Sequence, residues 1–528
     1  MNWLDYSILA IYFLGLLLMG FLLRHQVSKE DYYLGGRKIG WKPLTLSVMA
    51  TQLSAVSFIS APAFVGLREG GGLVWLTYEL AVPLAMLFLL WRLMPTLHAS
   101  GVVSVYDYLE RRFSMSTRLV ISAVFQISRS FATGIMIYAI SIILQGTIGL
   151  DFWQSIALIG FVTILYSLQG GMSAVVYGDA LQMILIIIGA VLCLLYGLEY
   201  AGGISSVISQ VDIDRLTALN TESTGFDGGS FGLLPMIFGG IVLYASYYGC
   251  DQSEAQRCLS AHDQKDLKKM LMSAAFLRFP ITLLYCATGL VIGVFAFATP
   301  EFMLQIPKDS PDWMMPVFII NYLPNGIIGI LLVAIMAAAM SSLSSAVNSL
   351  SAVTLEDICR ITKKSLTDRQ YLIGARCTGL FWGLITLIFS AFAGDIAPTV
   401  IEAINKIGSL FYGPILACFI LGIYAKSVRS LHVNLGIFSG VLTNMMLWLF
   451  FENVFWFWWN LFGLTVTLLI SLALSVLSNH VLGNNNDQIQ VYTVSVKTQL
   501  SKINVFAMLI WFAIIASVCV LITYNATN

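Results

Sequence analysis

The chain has 528 residues, 58% of them hydrophobic and only 11% charged, with 28 Lys+Arg against 28 Asp+Glu and a mean hydropathy of +0.83. An average soluble domain is roughly 45–50% apolar and roughly 25% charged, so charge this scarce cannot cover the surface of several soluble domains. A soluble enzyme, a disordered protein and, with no excess of positive charge, a nucleic-acid binder are excluded, which leaves a polytopic membrane protein.

A bilayer crossing takes about 20 apolar residues. In chain order the sequence predicts fourteen spans: 4–23, 43–66, 73–91, 119–145, 151–168, 174–197, 231–250, 271–298, 326–355, 377–394, 399–424, 431–451, 456–476 and 503–524. The first reads as a retained span, because Leu4–Leu23 is longer than a leader's apolar core, Asp5 stands where a leader is basic, and no small-residue cleavage site follows. With the N-terminus outside, 22 basic residues fall on cytoplasmic ends and only Arg68, Arg215 and Lys308 outside. That asymmetry follows the positive-inside rule and requires an even span count. The eight cysteines are scattered without a C-x-x-C pair and read as small buried hydrophobes. The five histidines form no H-x-x-x-H pair, which argues against a membrane enzyme.

Ionisable groups within spans are costly and are candidates for function. Here they are Glu79, Asp179, Glu402, Arg129, Arg278 and Lys406. Arg278 and Lys406 could be structural, paired with Glu402 or snorkelling to an interface. Arg129 and Glu79, facing one cavity, could bind a polar solute or neutralise each other. In span 9, Ser341, Ser344, Ser345 and Asn348 follow i, i+3, i+4, i+7 and form one polar stripe. Helix packing explains the neighbouring alanines, but not so many hydroxyls. Hydroxyl oxygens are hard, neutral ligands suited to Na⁺ once carbonyls or a carboxylate join them, and Asp179 is a plausible carboxylate.

Two spans look interrupted. Span 2 carries Thr51, Gln52, Ser54 and Ser57 at mid-depth with Pro62 beyond, and span 7 carries Pro235 and Gly239-Gly240 before Tyr244, Ser246, Tyr247 and Tyr248. Corresponding broken helices in two inverted halves frame the midplane site of secondary transporters. Spans 2–6 and 7–11 are two five-span blocks, and an odd block length makes the halves inverted. The expected organisation is 1–42, first span and loop; 43–230, first repeat; 231–430, second repeat; and 431–528, C-terminal spans.

Tyr32 to Arg37, the Gly170–Gln182 segment, Asp251-Gln252 with Gln256-Arg257, and Ala338–Ser345 together resemble the sodium/solute symporter family, whose members carry sugars, sialic acid, iodide, vitamins, proline or monocarboxylates. The resemblance implies an all-α fold with a ten-helix inverted-repeat core and flanking helices. It also implies one Na⁺ held by backbone carbonyls of Ala50, Leu53 and Ala338 and hydroxyls of Ser341 and Ser342. A second Na⁺, present in some members, would use Asp179, Ser341, Ser344 and Ser345. Substrate contacts would come from Gln52, Ser54, Ser57 and Glu79. Arg129 stands where sialic acid carriers grip the substrate carboxylate, and Tyr247 where an inner gate lies.

The expected function is a sodium-coupled symporter importing a sialic acid, sugar or carboxylate by alternating access. The alternatives are a solute-sensing receptor, or a symporter for an inorganic anion, vitamin or amino acid. The expected setting is a plasma (bacterial inner) membrane, with one or two Na⁺, a small solute and the lipid bilayer as partners. Neither nucleic acid nor an obligate protein partner is expected.

Overall fold

The computed structural model describes residues 1–53, 55–308, 310–391, 399–481 and 500–527. Among them all regular structure is helical, save one isolated bridge between Ile39 and Ala261. Apolar runs in lipid have no water to satisfy their backbone, so they close their hydrogen bonds internally as helices. Among the described residues eleven helices are long and apolar enough to cross a membrane, or up to thirteen if each of two bent pairs is one span. That count takes Phe152–Tyr200 as one helix, although it is interrupted at Gly171 (φ 55°, ψ −149°) between the expected spans 5 and 6. Only glycine suits that bend, since a Cβ there would also lie 2.7 Å from the Tyr32 carbonyl oxygen.

The expected break in span 2 is present. Helix Trp41–Gln52 stops at Leu53, and Ala55–Gly66 resumes at an angle of 51°. Span 7 differs from expectation: Leu233–Cys250 runs unbroken through Gly239-Gly240, and the chain turns at Asp251 before Gln252–Leu259. The glycines serve close packing instead. A Cβ on Gly239 would meet the Phe457 carbonyl at 2.1 Å, and one on Gly240 would meet Ala81 at 2.9 Å. A second bend, of 43°, separates Val400–Ser409 from Tyr412–Tyr424 inside the expected span 11. The end of span 10, residues 392–394, lies outside the described residues.

The helix Ile327–Thr362 forms the centre of the bundle, buried from Leu331 to Val353 and packed on Phe152–Tyr200, Trp3–Leu22, Met115–Ile148 and Asp368–Ser390. The outer helices expose apolar side chains such as Ile11, Leu380, Phe438 and Val520, a ring of greasy surface suited to lipid. All eight cysteines are unbonded; six are buried, Cys359 is half-buried and Cys377 is exposed.

The buried charges pair differently from expectation. Glu402 accepts from Arg68 at 2.8 Å, not from Arg278 or Lys406. Lys406 lies 5.8 Å from the Trp448 ring centre. Arg278 is bound to Glu79 at 3.0 Å, so Glu79 and Arg129 do not neutralise each other. Arg257, expected at a cytoplasmic loop end, is fully buried against Asp179. The sequence alone places Arg257 only by chain position, and that says nothing of a short helix folding back into the bundle.

Candidate ion and substrate sites

The break at Leu53 builds the first group. A helix that stops in the membrane leaves its last carbonyls without intrahelical partners and directs its negative dipole end at the gap. Ala50 and Leu53 belong to that end, both buried. The Ile327–Thr362 helix packs beside it and is tied to it by Thr51 Oγ1 and Ser345 Oγ at 3.2 Å. Ala338, Ser341 and Ser342 lie on the same buried helix, with Ser342 Oγ donating to the Ala338 carbonyl at 3.5 Å.

Asp179, fully buried, organises the second group. Its Oδ2 accepts from Ser47 Oγ and from Arg257 Nη2, each at 2.6 Å. Arg257 also donates to Ser345 Oγ and to the Ser253 carbonyl. Ser344 Oγ donates to the Ser341 carbonyl at 3.0 Å. Asp179 Oδ1 and Ser341 Oγ are buried without a hydrogen-bond partner among the described residues. These two oxygens keep acceptor capacity for a small hard cation, whereas Asp179 Oδ2 and Ser345 Oγ are already taken up by the Arg257 guanidinium. No three His, Cys, Asp or Glu side chains converge among the described residues as a transition-metal site would need.

A cavity opens next to the Leu53 break. Gln52, Ser57, Arg129 and Tyr247 line it, joined by Tyr78, Arg278, Tyr285, Asn405 and Tyr412. Four expected substrate residues thus come together. Glu79 does not line the cavity; it stands behind Arg278 and receives the Tyr244 hydroxyl at 3.3 Å as well. Ser54 lies outside the described residues.

Arg129 is the notable member. It is 4% exposed, and its Nε and Nη2 have no hydrogen-bond partner among the described residues. Its charge is balanced from one side by Asp251, 3.7 Å from Nη1, and its guanidinium carbon stands 5.9 Å from the Tyr247 ring centre. Tyr247 meets Tyr412 edge to face at 6.1 Å and reaches toward the Thr51 carbonyl, which places an aromatic pair on one wall.

Sequence reasoning missed Arg278, Asn405 and Tyr412 as cavity residues. Arg278 carried a signal, an arginine in an apolar span. Asn405 and Tyr412 straddle the 43° bend, whose mark in the sequence is Gly413-Pro414 in the first turn of the second helix.

Residues 32–443 match the model of the Sodium:solute symporter family. The human sodium/iodide cotransporter is 28% identical over 448 residues, covering 84% of this chain and 69% of that protein. Bovine sodium-coupled monocarboxylate transporter 2 is 29% identical over 425 residues, covering 79% and 67%. Among solved structures, a Na⁺-coupled sialic acid symporter in a substrate-bound outward-open state superposes with a TM-score of 0.82 at 24% identity, covering 90% of this chain and 98% of that one. At that identity the likeness establishes the all-α transporter fold.

Proposed function

The chain belongs to the sodium:solute symporter family and is a multi-pass, sodium-coupled carrier, not an enzyme; from this premise we propose that it imports a small organic anion, of the sialic acid or monocarboxylate class. The observation that carries the reading is Arg129, a buried guanidinium at a cavity wall with two N–H donors unsatisfied among the described residues. Leaving such donors unmade is expensive, and a carboxylate satisfies both with the planar fork that arginine presents. The apolar and aromatic remainder of the cavity, with Tyr78, Tyr247, Tyr285 and Tyr412, suits a solute with carbon faces. That two of the relatives are named for anions, iodide and monocarboxylates, agrees with this choice.

In this reading one Na⁺ is held by the carbonyls of Ala50, Leu53 and Ala338 and the hydroxyls of Ser341 and Ser342. A second is held by Asp179, Ser341, Ser344 and Ser345. The cation supplies positive charge that screens the broken-helix carbonyls and stiffens the junction between the two helices. Gln52, Ser57 and Arg129 then orient the solute, with Tyr247 beside them, while Glu79 acts through Arg278; Ser54 stays a proposed substrate contact. The proposed frame keeps the divisions 1–42, 43–230, 231–430 and 431–528, in a plasma membrane with the N-terminus outside.

The test is uptake into proteoliposomes of radiolabelled pyruvate, N-acetylneuraminate, iodide, proline and glucose, each in Na⁺ and in choline medium. Sodium-dependent uptake of a carboxylate is expected, with a roughly 10–100-fold loss in Arg129→Ala, the worth of a charged hydrogen bond. Preference for glucose or proline, or an Arg129→Ala carrier as good as wild type, would overturn the reading. Iodide uptake without carboxylate uptake would replace it by an inorganic anion carrier.

A further inference from the structure

A second cavity lies against the first and shares its wall. Tyr106, Phe125, Ser128, Ser246, Cys250 and Asp251 line it, and Arg129, Ala132, Ile404 and Tyr412 line both. In the proposed orientation it is on the cytoplasmic side, where the Leu233–Cys250 helix ends. The guanidinium of Arg129 is thus set in the partition, with its Nη1 toward Asp251 and its Nε and Nη2 without a hydrogen-bond partner among the described residues.

Asp251 is also structural in a particular way. It stands outside both neighbouring helices with extended backbone (φ −74°, ψ 122°), between Leu233–Cys250 and Gln252–Leu259. Its Oδ1 caps the second helix by accepting from the Ser253 backbone N–H at 2.8 Å, which leaves Oδ2 for Arg129. One carboxylate therefore connects the charge of the cavity wall to the turn between two helices.

We propose that Asp251 is a surrogate for the substrate's carboxylate: it neutralises Arg129 in the empty carrier, is loosened when the anion binds, and reclaims the guanidinium to expel the anion inward. This rests on the reading that Arg129 receives the anion. Two carboxylates on one guanidinium repel, so each weakens the other's hold, and the coupling is reciprocal. Anion binding therefore loosens Asp251 at the turn, and reformation of the Arg129–Asp251 contact completes release. Asp251 acts as a positioning residue, since it touches Arg129 and not the solute.

The experiment is concentration-dependent uptake of pyruvate, or of N-acetylneuraminate where the panel selects it, by wild type, Asp251→Asn, Asp251→Glu and Arg129→Ala, each normalised to monodisperse carrier in the membrane. Asparagine keeps the cap but removes the charge. For Asp251→Asn, KM is expected to fall about tenfold and the maximal rate to fall with it, because the anion binds better and leaves more slowly. Asp251→Glu restores both. A purely structural role moves the amount of folded carrier and not KM. An unchanged or raised KM in Asp251→Asn, or a glutamate variant that fails like the asparagine one, overturns the surrogate role. If Arg129→Ala meanwhile abolishes anion uptake, the substrate reading survives; if Arg129→Ala is without effect, that reading falls first.

Discussion

Removal of the Glu79 carboxylate should destabilise the bundle, because it leaves a buried arginine without its counter-charge. Glu79 is 1% exposed and binds Arg278 Nε through both oxygens, at 3.0 and 3.2 Å. Arg278 Nη2 donates to the Tyr244 hydroxyl at 2.8 Å, and Tyr244 stacks on Tyr78 with ring centres 4.4 Å apart. Glu79→Ala strands a buried guanidinium, a loss of about 3–5 kcal/mol when one partner of such a pair is deleted. For 528 residues, at an unfolding entropy of roughly 2 cal/mol/K per residue, that is a fall of about 3–5 °C in the melting temperature. Glu79→Leu combined with Arg278→Met removes both charges and should recover most of the loss, because an apolar pair of similar volume replaces a buried ion pair at little cost. The assay is thermal unfolding of detergent-purified carrier followed by tryptophan fluorescence. A Glu79→Ala protein melting within 1 °C of wild type, or a double variant whose loss equals the sum of the singles, would refute the argument that Arg278 is held by Glu79.

Three further outcomes are expected. Asp179→Ala should reduce the Hill coefficient for Na⁺ in uptake from above one to one, and an unchanged coefficient would leave a single ion site in operation. Gly171→Ala combines a left-handed backbone with a 2.7 Å approach to the Tyr32 carbonyl, so it should melt several degrees lower or fail to insert, whereas Gly15→Ala, with open space around it, should melt as wild type does. Asp312, on the loop expected outside, accepts from the Val400 backbone N–H at 3.0 Å, and burial pushes its carboxyl up to about 6. Its folded-state value lies above its unfolded value of about 4, so the folded protein binds the proton more tightly and stability falls as pH rises from about 4 to about 6. The melting temperature of wild type should therefore rise relative to Asp312→Asn between pH 7 and pH 5, and parallel profiles would contradict the shift.

What the sequence carried, and what it did not, divides along physical lines. Apolar runs of bilayer length located the helices, because burial and backbone satisfaction in lipid act on local composition. The break at Leu53 was visible as polar residues at mid-depth. The supposed break at Gly239-Gly240 was not a break, since small residues mark both unwound backbone and close helix contact, and only the neighbour, here Phe457, decides between them. The gathering of Gln52, Ser57, Arg129 and Tyr247 on one cavity came from resemblance, not from periodicity. The partners of the buried charges were not visible at all. Glu79 lies 199 residues from Arg278, and Asp179 lies 78 from Arg257, so these pairs are set by tertiary packing.

The pairing of those charges also has an electrical consequence. Arg278 with Glu79, Arg257 with Asp179 and Arg129 with Asp251 are each one cation matched by one anion within the bundle. In the proposed rocking cycle these neutral pairs add little transient charge movement, and because the carrier returns to its starting state the net current per turnover is that of the cargo. Two Na⁺ with a monoanion carry one net positive charge inward, worth about 2.3 kcal/mol per 100 mV, whereas one Na⁺ with a monoanion is electroneutral and blind to voltage. If the substrate is the proposed monoanion, the membrane potential becomes a counter: uptake that responds to it moves two sodium ions with each anion, and uptake that ignores it moves one.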